Sequence, residues 1–387
     1  IRRPPRSTLS SSSAASDVYK RQVYTHIGLV AKMSFDEGVL ADFKQTDIHL
    51  CMADMGWMVG SKSATIASAH GAQMVIAEGV PDFPDEVRFW KLIEKYKVSW
   101  TELSPALIRA QMIKDEKLFK DLDLSSLRMI CTGGEPWTEK PWKWLFQVIG
   151  KSKVPIMNSA GGTEVSGSIL HCCLHRPFKV GSFNAPIPGM SADILNLNGQ
   201  KVSTNEMGEL VMRKSSIGLT KSLWNDDKRY IDNYWSVIKD YWVHGDLASR
   251  DADGHWYLHG RSDDTIKVSG KRIGPSELES VIVKSGKAKE VAAVGIPDAN
   301  KGSKIILSIV PAENNDQKES FFEDLVIKDL GKSFKPDKVI FVKDLPKTRN
   351  MKIMRRVIKS CLANQDPGDL STLLNPESVE EIRSHAI

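Results

Sequence analysis

Short apolar runs alternate with longer amphipathic segments through the first half of the chain. Five runs have the length and composition of buried strands, and four segments between them have helical spacing. The strand runs are 47–52, 73–77, 98–103, 127–131 and 154–158, and the helical segments are 61–70, 85–97, 105–114 and 141–149. Strands that alternate with helices predict a mainly parallel sheet with both faces covered. Because ligands of such sheets bind beyond the carboxyl ends of the strands, we expect binding residues there.

The pattern changes after about residue 178. Short strand runs at 192–197, 208–213 and 256–259, separated by turn-forming residues, predict a small β subdomain. The elements that follow are a strand at 265–268, a helix at 275–284, strands at 290–295 and 304–310, a helix at 318–330 and a strand at 338–341. The predicted fold class is therefore α/β, with a large domain that has a mainly parallel sheet plus a small β subdomain, followed by a small α+β C-terminal domain.

The composition is ordinary for a globular protein and excludes few classes of function. Hydrophobic residues make up 41% and charged residues 26% of the 387 residues. A formal charge of +5 gives no reason to expect nucleic acid, and it suits a phosphorylated small molecule equally well. The five cysteines have no CxxC spacing, and adjacent Cys172 and Cys173 are a poor disulfide pair. We therefore expect reduced thiols and a cytoplasmic protein, and no apolar run is long enough to predict a membrane span.

Residues 1–22 differ from the sequence that follows them. They are basic and rich in serine, and they have no apolar pattern. A transit peptide is one interpretation. The favoured interpretation is that they are translated sequencing-adaptor read-through, and that the true reading frame begins upstream. We therefore interpret residues 1–22 as non-native sequence and leave them out of the fold prediction.

Two glycine-rich segments follow predicted strands. In 158–164 (NSAGGTE), the paired glycines would let the backbone approach a ligand, and the threonine hydroxyl and glutamate carboxylate could hold Mg²⁺ beside phosphates. In 132–136 (TGGEP), flat peptides could lie against a base. Asp246, after His244-Gly245, would suit two ribose hydroxyls. Each segment is equally compatible, on its own, with an ordinary turn.

Two basic segments complete the candidate chemistry. The stretch 257–279 holds a charged cluster and a glycine-punctuated turn, typical of a solvated hairpin or of a hinge between two domains that both touch an anionic ligand. The segment 345–356 is a basic loop in which Lys352 stands between apolar Met351 and Ile353. A lysine in that setting can be delivered into a pocket as a compact charge, although a basic run is more often a solvated face.

Taken in order, these segments resemble the AMP-forming acyl-CoA synthetases of the adenylate-forming superfamily, particularly the acetyl-CoA and acetoacetyl-CoA synthetase branch. The resemblance runs from about Val23 to the C-terminus. It is carried by 54–57 (DMGW), 134–136 (GEP), 162–164 (GTE), 224–226 (WND), 244–246 (HGD), 260–264 (GRSDD), 268–272 (VSGKR), 346–349 (PKTR), 352–356 (KIMRR) and the tail segment 368–376.

The resemblance implies a reaction in two halves. A carboxylate attacks the α-phosphate of ATP, which gives an acyl-adenylate and pyrophosphate, and the thiolate of coenzyme A then displaces AMP. The expected cofactors and co-substrates are ATP, Mg²⁺ and coenzyme A, and the expected partner is a small carboxylic acid. No nucleic acid partner is expected.

The resemblance also assigns roles to residues. The ATP-binding residues would be Gly134, Glu135, Pro136, Asn158, Ser159, Ala160, Gly161, Gly162, Asp246, Arg261 and Arg272. The catalytic residues would be Thr163, Glu164 and Lys352, with Glu164 holding Mg²⁺ and Lys352 bridging the carboxylate and the α-phosphate. Ser269 and Gly270 would bind coenzyme A, and Asp263 would be the hinge.

Domain boundaries follow from the same resemblance. Residues 23–260 would form the C-terminal portion of the large adenylate-forming domain, and 261–264 would form a hinge. Residues 265–362 would form a small mobile domain, and 363–387 a loosely packed tail.

Three departures from the family pattern matter. Met351 stands where the family usually has glycine before its catalytic lysine. Ala160 and Gly161 replace two tryptophans that close the pocket in acetate-specific members, so we expect an acid longer than acetate, such as a C4 hydroxy or keto acid or a short-to-medium fatty acid. Its pocket would be formed by Trp57, Met58, Val59, Gly133 and Gly161.

The third departure is the family's phosphate loop (TSGSTGxPKG), which this sequence does not contain. We expect the chain alone to adenylate poorly. Two other interpretations stay open. One is a different adenylating enzyme, such as an aryl-CoA ligase or a peptide-synthetase adenylation domain, and the other is a non-catalytic nucleotide-binding homologue.

Overall fold

The computed structural model describes residues 21–268, 271–298, 301–312, 316–348, 352–370 and 373–386. Contacts divide the chain into two units. The first is Ile1–His244 with Ala248–Leu258, and the second is Gly245–Leu247 with His259–Ile387. Among the described residues, no helix combines the length and the apolar character that crossing a bilayer requires.

The first unit contains most of the strands. The last two of these strands also include residues of the second unit. Its strands are β1 (Gln22–Val23), β2 (Ile48–Leu50), β3 (Gln73–Val75), β4 (Trp100–Leu103), β5 (Met129–Thr132), β6 (Ile156–Gly162), β7 (Gly167–His171), β8 (Ala185–Pro186), β9 (Ala192–Leu195), β10 (Gly208–Met212), β11 (Ser222–Leu223), β12 (Trp242–Arg250) and β13 (Trp256–Arg261). Its helices are α1 (His26–Phe35), α2 (Met58–His70), α3 (Arg88–Tyr96), α4 (Pro105–Gln111), α5 (Lys117–Lys120), α6 (Glu139–Trp144) and α7 (Asp227–Tyr230). Single π-helical turns continue α1, α6 and α7.

The main sheet has seven strands in the order β3-β2-β4-β5-β6-β7-β8. The first five strands are parallel, and β7 and β8 join antiparallel. A second sheet has the order β13-β12-β10-β9 and forms the small β subdomain. The predicted α/β fold class, with a mainly parallel sheet, is confirmed.

Helices cover both faces of the parallel strands. On one face, Phe89 and Trp90 of α3 and Ile108 of α4 pack with Ile130 and other buried side chains of the sheet. On the other face, Met33 of α1 and Ile66 of α2 pack against Trp100, Met129 and Met157. Burying one such side chain contributes roughly 1.5–3 kcal/mol, which explains why these strands are apolar on both sides.

A buried ion cluster lies in the first unit. Lys62 Nζ of α2 is 2.8 Å from Oε1 of Glu37 and 2.8 Å from Oε1 of Glu102, and all three side chains are less than a tenth exposed. Burial opposes ionisation of Glu37, but the nearby Lys62 charge outweighs it and lowers the Glu37 pKa below its ordinary value. Burial raises the pKa of Glu102, and Lys62 offsets that only in part. The cluster therefore holds one carboxylate ionised and the other closer to protonation.

Two elements of the first unit differ from prediction. The strand predicted to end at residue 158 continues to Gly162, because Ser159–Gly162 pairs antiparallel with β7. The fold also includes Gln22, which pairs with Leu223, and Arg21, whose carbonyl accepts from Trp224 N. Arg21 and Gln22, which were left out of the fold prediction, therefore contact the first unit.

The second unit is a compact α+β body. Its elements are β14 (Ile266–Val268), β15 (Lys271–Ile273), α8 (Pro275–Lys284), β16 (Ala288–Asp298), β17 (Gly302–Pro311), α9 (Glu319–Leu330), β18 (Lys338–Phe341), α10 (Arg355–Leu362) and α11 (Glu377–Arg383). β16, β17 and β18 form one sheet, in which β16 and β17 are antiparallel and β17 and β18 are parallel. Helices α8 and α9 pack on one set of buried side chains, and α10 and α11 pack on another.

The C-terminal segment is packed, not loose. Val379 and Ile382 of α11 are 4% and 0% exposed and join the core that contains Val357 and Ile358 of α10. Leu373 belongs to the same core, and Thr348 forms a bridge to it. The expectation of a loosely packed tail was wrong because these apolar residues complete a hydrophobic face of the second unit.

Candidate active site

The end of β5 lies beside the residue at which the glycine-rich segment of β6 begins. β5 and β6 are parallel neighbours, and Thr132 pairs in register with Asn158. The Thr132 hydroxyl is 3.2 Å from Asn158 Oδ1 and accepts a 2.9 Å hydrogen bond from Trp137 Nε1. Ser159 Oγ donates to Thr132 O over 2.9 Å. These bonds fix the end of β5 to the middle of β6 at the carboxyl edge of the parallel strands, where ligands of such sheets bind.

The turn after β5 requires its glycines. Gly134 has φ +92°, which favours glycine, and the space beside its Cα is open. A Cβ at Gly133 would lie 3.0 Å from both the carbonyl and the hydroxyl oxygen of Ser159. Glu135 is held by Arg109 of α4 at 2.5 Å, and Pro136 is exposed. The turn therefore presents flat, exposed backbone at the same edge.

Ala160 and Gly161 do not leave an open pocket. The Ala160 side chain is 9% exposed and packs in the hydrophobic core beside β7. A Cβ at Gly161 would lie 2.1 Å from the carbonyl oxygen of Gly167 and 2.5 Å from Ser168 Cα. The interpretation that the missing side chain at 161 opens space was therefore wrong in its geometry, because the backbone of β7 occupies that space. Neither Ala160 nor Gly161 supplies an indole ring, as the sequence already shows.

Glu164 is held by side chains from distant parts of the first unit. It lies in the 3₁₀ turn Thr163–Val165 that follows β6. Its Oε1 accepts a 2.7 Å hydrogen bond from the Tyr234 hydroxyl and a 3.2 Å bond from Gln22 Nε2. Its main-chain carbonyl accepts from Thr220 N over 2.7 Å. The carboxylate is thus fixed at the end of the strand.

The neighbours of Glu164 complete this edge. The Tyr24 hydroxyl donates to the Thr163 carbonyl, and burial together with the Glu164 charge raises the Tyr24 pKa far above its ordinary value, so the phenol stays a donor. A Cβ at Gly162 would lie 3.1 Å from Glu164 Oε2 and 3.3 Å from His244 Cε1. Gly162 therefore lets the carboxylate and the imidazole both approach the backbone.

This donor set fits Mg²⁺ bound with phosphates. Among the described residues, no cluster of three or more His, Cys, Asp or Glu side chains could hold a metal ion by itself. Mg²⁺ usually keeps several waters and takes one or two carboxylates plus substrate phosphates. Glu164 supplies one carboxylate, and Thr163 supplies a neighbouring hydroxyl.

In the second unit, Asp246 and Arg261 come together. Arg261 Nη1 lies 3.6 Å from Asp246 Oδ1, and Arg261 Nε donates to Asp263 Oδ1 over 3.1 Å. A Cβ at Gly245 would lie 2.7 Å from Arg261 Nη2, so the glycine lets the guanidinium lie against the chain. Asp263 itself is mostly exposed.

Lys352 is hydrogen-bonded to Thr348 in the second unit. The Thr348 amide donates to Lys352 O over 2.9 Å, the Lys352 amide donates to Thr348 Oγ1 over 3.3 Å, and Lys347 forms a bridge to Ile353. The Lys352 side chain is exposed. Burial raises the pKa of Asp264, and the Lys352 charge is among those that partly lower it.

Some predicted site residues are only partly described. Ser269, Gly270 and Met351 lie outside the described residues, as does the side chain of Arg272. The backbone of Arg272 pairs with Lys267 in the β14–β15 hairpin.

The predicted acyl-pocket residues on the second helix are half-buried at its start. Trp57 is the N-cap residue of α2, and Met58 and Val59 form its first turn. Met58 packs against the core between α2 and the sheet.

Sequence reasoning missed the tyrosines that hold the Thr163–Glu164 turn. Tyr234 lies 70 residues from Glu164 in sequence, and Tyr24 lies 139 residues from Thr163. One available signal was Asp226, an N-cap residue followed by Tyr230 and Tyr234 at i, i+4 spacing on the helix it starts.

Comparison with known proteins gives consistent matches. The family described as AMP-binding enzyme matches residues 20–224, and its C-terminal domain matches residues 277–352. The acetyl-coenzyme A synthetase of Pasteurella multocida (strain Pm70) is 37% identical over 354 residues, which cover 88% of this chain and 54% of that protein. The acetyl-coenzyme A synthetase of Pyrobaculum aerophilum is 36% identical over 352 residues, which cover 88% of this chain and 52% of that protein.

A solved structure shows the same fold. The acetoacetyl-CoA synthetase from Streptomyces lividans superposes with a TM-score of 0.80 at 22% identity, over 92% of this chain and 55% of that chain. The chain thus spans about half the length of the curated relatives it matches.

Proposed function

The chain belongs to the AMP-binding enzyme family, and from that premise we propose that the protein containing it is an ATP-dependent, AMP-forming carboxylate–CoA ligase. The observation that carries this proposal is the pairing of β5 with β6, in which Gly134–Pro136 lie just past the end of β5 and Thr163–Glu164 lie just past the end of β6. The names of the matched acetyl-CoA synthetases support the same reaction class.

In the first half-reaction, a carboxylate oxygen of the acid attacks the α-phosphorus of ATP, and the bond from that phosphorus to the bridging oxygen of pyrophosphate breaks. The exposed peptides at Gly134–Pro136 would lie along the base, and Asp246 with Arg261 would bind the ribose. Lys352 would neutralise charge between the carboxylate and the α-phosphate as the new bond forms. Glu164 and Thr163 would hold Mg²⁺, which would supply charge neutralisation on the phosphates when bound.

In the second half-reaction, the coenzyme A thiolate attacks the acyl carbon, the bond from acyl carbon to phosphate oxygen breaks, and AMP leaves. Ser269 and Gly270 would line the path of coenzyme A, and Arg272 would reach phosphate in the first half-reaction. Asp263 would be the hinge at which the second unit changes its orientation between the two halves.

We propose further that the acid is longer than acetate. The support is compositional: neither Ala160 nor Gly161 is one of the tryptophans that close the pocket in acetate-specific members. Trp57, Met58, Val59 and Gly133 would line it. A C4 hydroxy or keto acid or a short-to-medium fatty acid would fit that description.

The test is ATP–pyrophosphate exchange by the full-length protein with acetate, butyrate, 3-hydroxybutyrate, acetoacetate and hexanoate. We expect exchange, with kcat/KM for at least one longer acid about tenfold or more above that for acetate. Exchange that is strongest with acetate would contradict the proposed chain length alone. The absence of exchange with every carboxylic acid offered would contradict the proposed reaction.

A further inference from the structure

We propose that Tyr234 is a positioning residue for Glu164, and that its hydroxyl aims the carboxylate at the Mg²⁺–ATP bound along β6. The inference deepens the proposed function and rests on it. It concerns a side chain that lies 70 residues from Glu164 in sequence and reaches it only through the fold.

The contact itself has the geometry of a strong charge-assisted hydrogen bond. The Tyr234 hydroxyl lies 2.7 Å from Glu164 Oε1, and the tyrosine side chain is 5% exposed. Glu164 Oε2, the other oxygen, lies on the side of Gly162, 3.1 Å from where a Cβ would stand. Fixing Oε1 therefore also fixes the direction of Oε2, toward the backbone of the strand end.

Aromatic packing keeps Tyr234 in place. Its ring stacks on Trp242 with centroids 5.3 Å apart and an interplanar angle of 4°, and Trp242 is 0% exposed. A stacked, buried ring cannot rotate its hydroxyl away from Glu164 without losing that contact. The phenol is thus a rigid donor, as a group that orients another must be.

The backbone that carries Tyr234 is also anchored. Asp226 caps α7 by accepting from Arg229 N at 3.3 Å, and the π-helical turn Ile231–Trp235 continues this short helix. The hydroxyl of Tyr230, one turn earlier, donates 2.8 Å to the Thr220 carbonyl. The Thr220 amide in turn donates 2.7 Å to the carbonyl of Glu164. The same helical segment therefore fixes both the main chain and the side chain of Glu164.

Partners of this kind tune metal binding without touching the metal. Removing a hydrogen-bond partner of a metal-binding carboxylate or imidazole typically weakens metal affinity about 10- to 100-fold. The hydroxyl of Tyr234 is that partner for Glu164, so its removal should weaken Mg²⁺–ATP binding while leaving the packing of the ring in place.

The experiment compares Tyr234→Phe with Tyr257→Phe in the full-length protein. Both variants remove only a phenol hydroxyl bonded to a carboxylate, since Tyr257 donates to Asp251 over 3.2 Å. The protein is titrated into Mn²⁺–ATP, and electron paramagnetic resonance follows the change in the Mn²⁺ signal as the complex binds. We expect about tenfold weaker Mn²⁺ binding for Tyr234→Phe and unchanged binding for Tyr257→Phe.

A double-mutant cycle separates positioning from general destabilisation. If Tyr234 acts through Glu164, Tyr234→Phe should have no further effect on Mn²⁺ affinity in a Glu164→Gln background, whatever the two variants do to the unfolding midpoint. Equal Mn²⁺ affinity for Tyr234→Phe and Tyr257→Phe, or an undiminished effect in the Glu164→Gln background, would overturn the proposal.

The outcome is distinguishable from failure of the proposed function. A wild-type protein that binds Mn²⁺–ATP but makes no acyl-adenylate would refute the proposed reaction, while the Tyr234→Phe comparison would still decide the positioning role. A wild-type protein that binds no Mn²⁺ in the presence of ATP would overturn both.

Discussion

Arg355 holds the carboxylate of Glu279 with three hydrogen bonds of 2.7 to 2.9 Å, three residues after Lys352 in sequence. Glu279 also accepts from Ala293 N over 2.9 Å, so the ion pair joins α10, α8 and β16. The pair is mostly buried, with 24% of the arginine and 13% of the glutamate side chain exposed. The chain that leaves the Lys352 loop is therefore anchored to the body of the second unit.

Arg355→Ala should lower the free energy of unfolding of the second unit by about 2 kcal/mol, because the mostly buried Glu279 carboxylate loses its charged hydrogen-bond partner. Arg356→Ala is the matched control, since Arg356 is exposed and donates to the neutral carbonyls of Pro367 and Asp369. Urea denaturation measures both. The anchoring role is wrong if the two variants lose equal stability.

Glu37→Gln and Glu102→Gln should respond oppositely to pH. The Glu37 pKa is lowered in the folded state, so its stabilisation is present above its unfolded pKa of about 4.3 and is lost as the pH falls. The Glu102 pKa is raised, so its contribution is present below that value and is lost as the pH rises.

At pH 7, Glu37→Gln should therefore cost about 3 kcal/mol, because it removes the ionised partner of buried Lys62. Glu102→Gln should cost less, because burial raises the pKa of Glu102 and so makes its ionised form less stabilising than that of Glu37. The midpoints of urea denaturation of the two variants should differ at pH 7, and they should differ less near pH 4.5. A constant difference across that range would contradict the assignment.

Gly161→Ala should destabilise the first unit by about 2 kcal/mol, because its Cβ would overlap the Gly167 carbonyl of β7. Gly162→Ala is the control on the same strand. Its Cβ would meet the side chains of Glu164 and His244 instead of backbone, so it should cost less stability and raise the Mg²⁺ concentration needed for adenylation. Thermal unfolding measures the loss of stability, and a Mg²⁺ titration of the adenylation rate measures the second effect. Equal unfolding midpoints for Gly161→Ala and Gly162→Ala would show that β7 moves easily to accommodate a side chain at position 161.

Asp263→Pro should leave adenylation intact and block thioester formation in the full-length protein, because proline would restrict the backbone where the second unit is expected to turn. Asp253→Pro is a comparison at another exposed aspartate, outside the proposed hinge. Single-turnover assays measure the rate of adenylation and the rate of thioester formation in each variant. Equal loss of both half-reactions would make Asp263 an ordinary binding-loop residue.

Local signals predicted some elements well. Helix α8 begins at Pro275 and ends at Lys284 as expected, because proline at its first position and Glu277, which accepts from Gly274 N over 3.0 Å, are both local signals. β18 also has the predicted bounds. The candidate site was proposed for a related reason, since glycine-rich segments after apolar runs can be recognised in a sequence.

Long-range contacts explain the structural features that could not be predicted from the sequence. Ser159–Gly162 has the composition of a turn, and it is a strand only because β7 pairs with it. The closeness of Gly161 to Gly167 is set by the bulge between Ala160 and Gly161 in that pairing. Tyr234 reaches Glu164 only once the β subdomain and α7 have folded. The apolar residues of α11 have a partner surface only when α10 is in place.

The central claim is that this chain supplies the lysine and the carboxylate of an adenylating site. The most direct measurement compares Lys352→Ala with Lys359→Ala, an exposed lysine on α10, in both half-reactions of the full-length protein. We expect Lys352→Ala to slow acyl-adenylate formation about 100-fold or more, and to leave thioester formation from supplied acyl-adenylate nearly unchanged, with Lys359→Ala normal in both. Undiminished acyl-adenylate formation by Lys352→Ala would contradict the account.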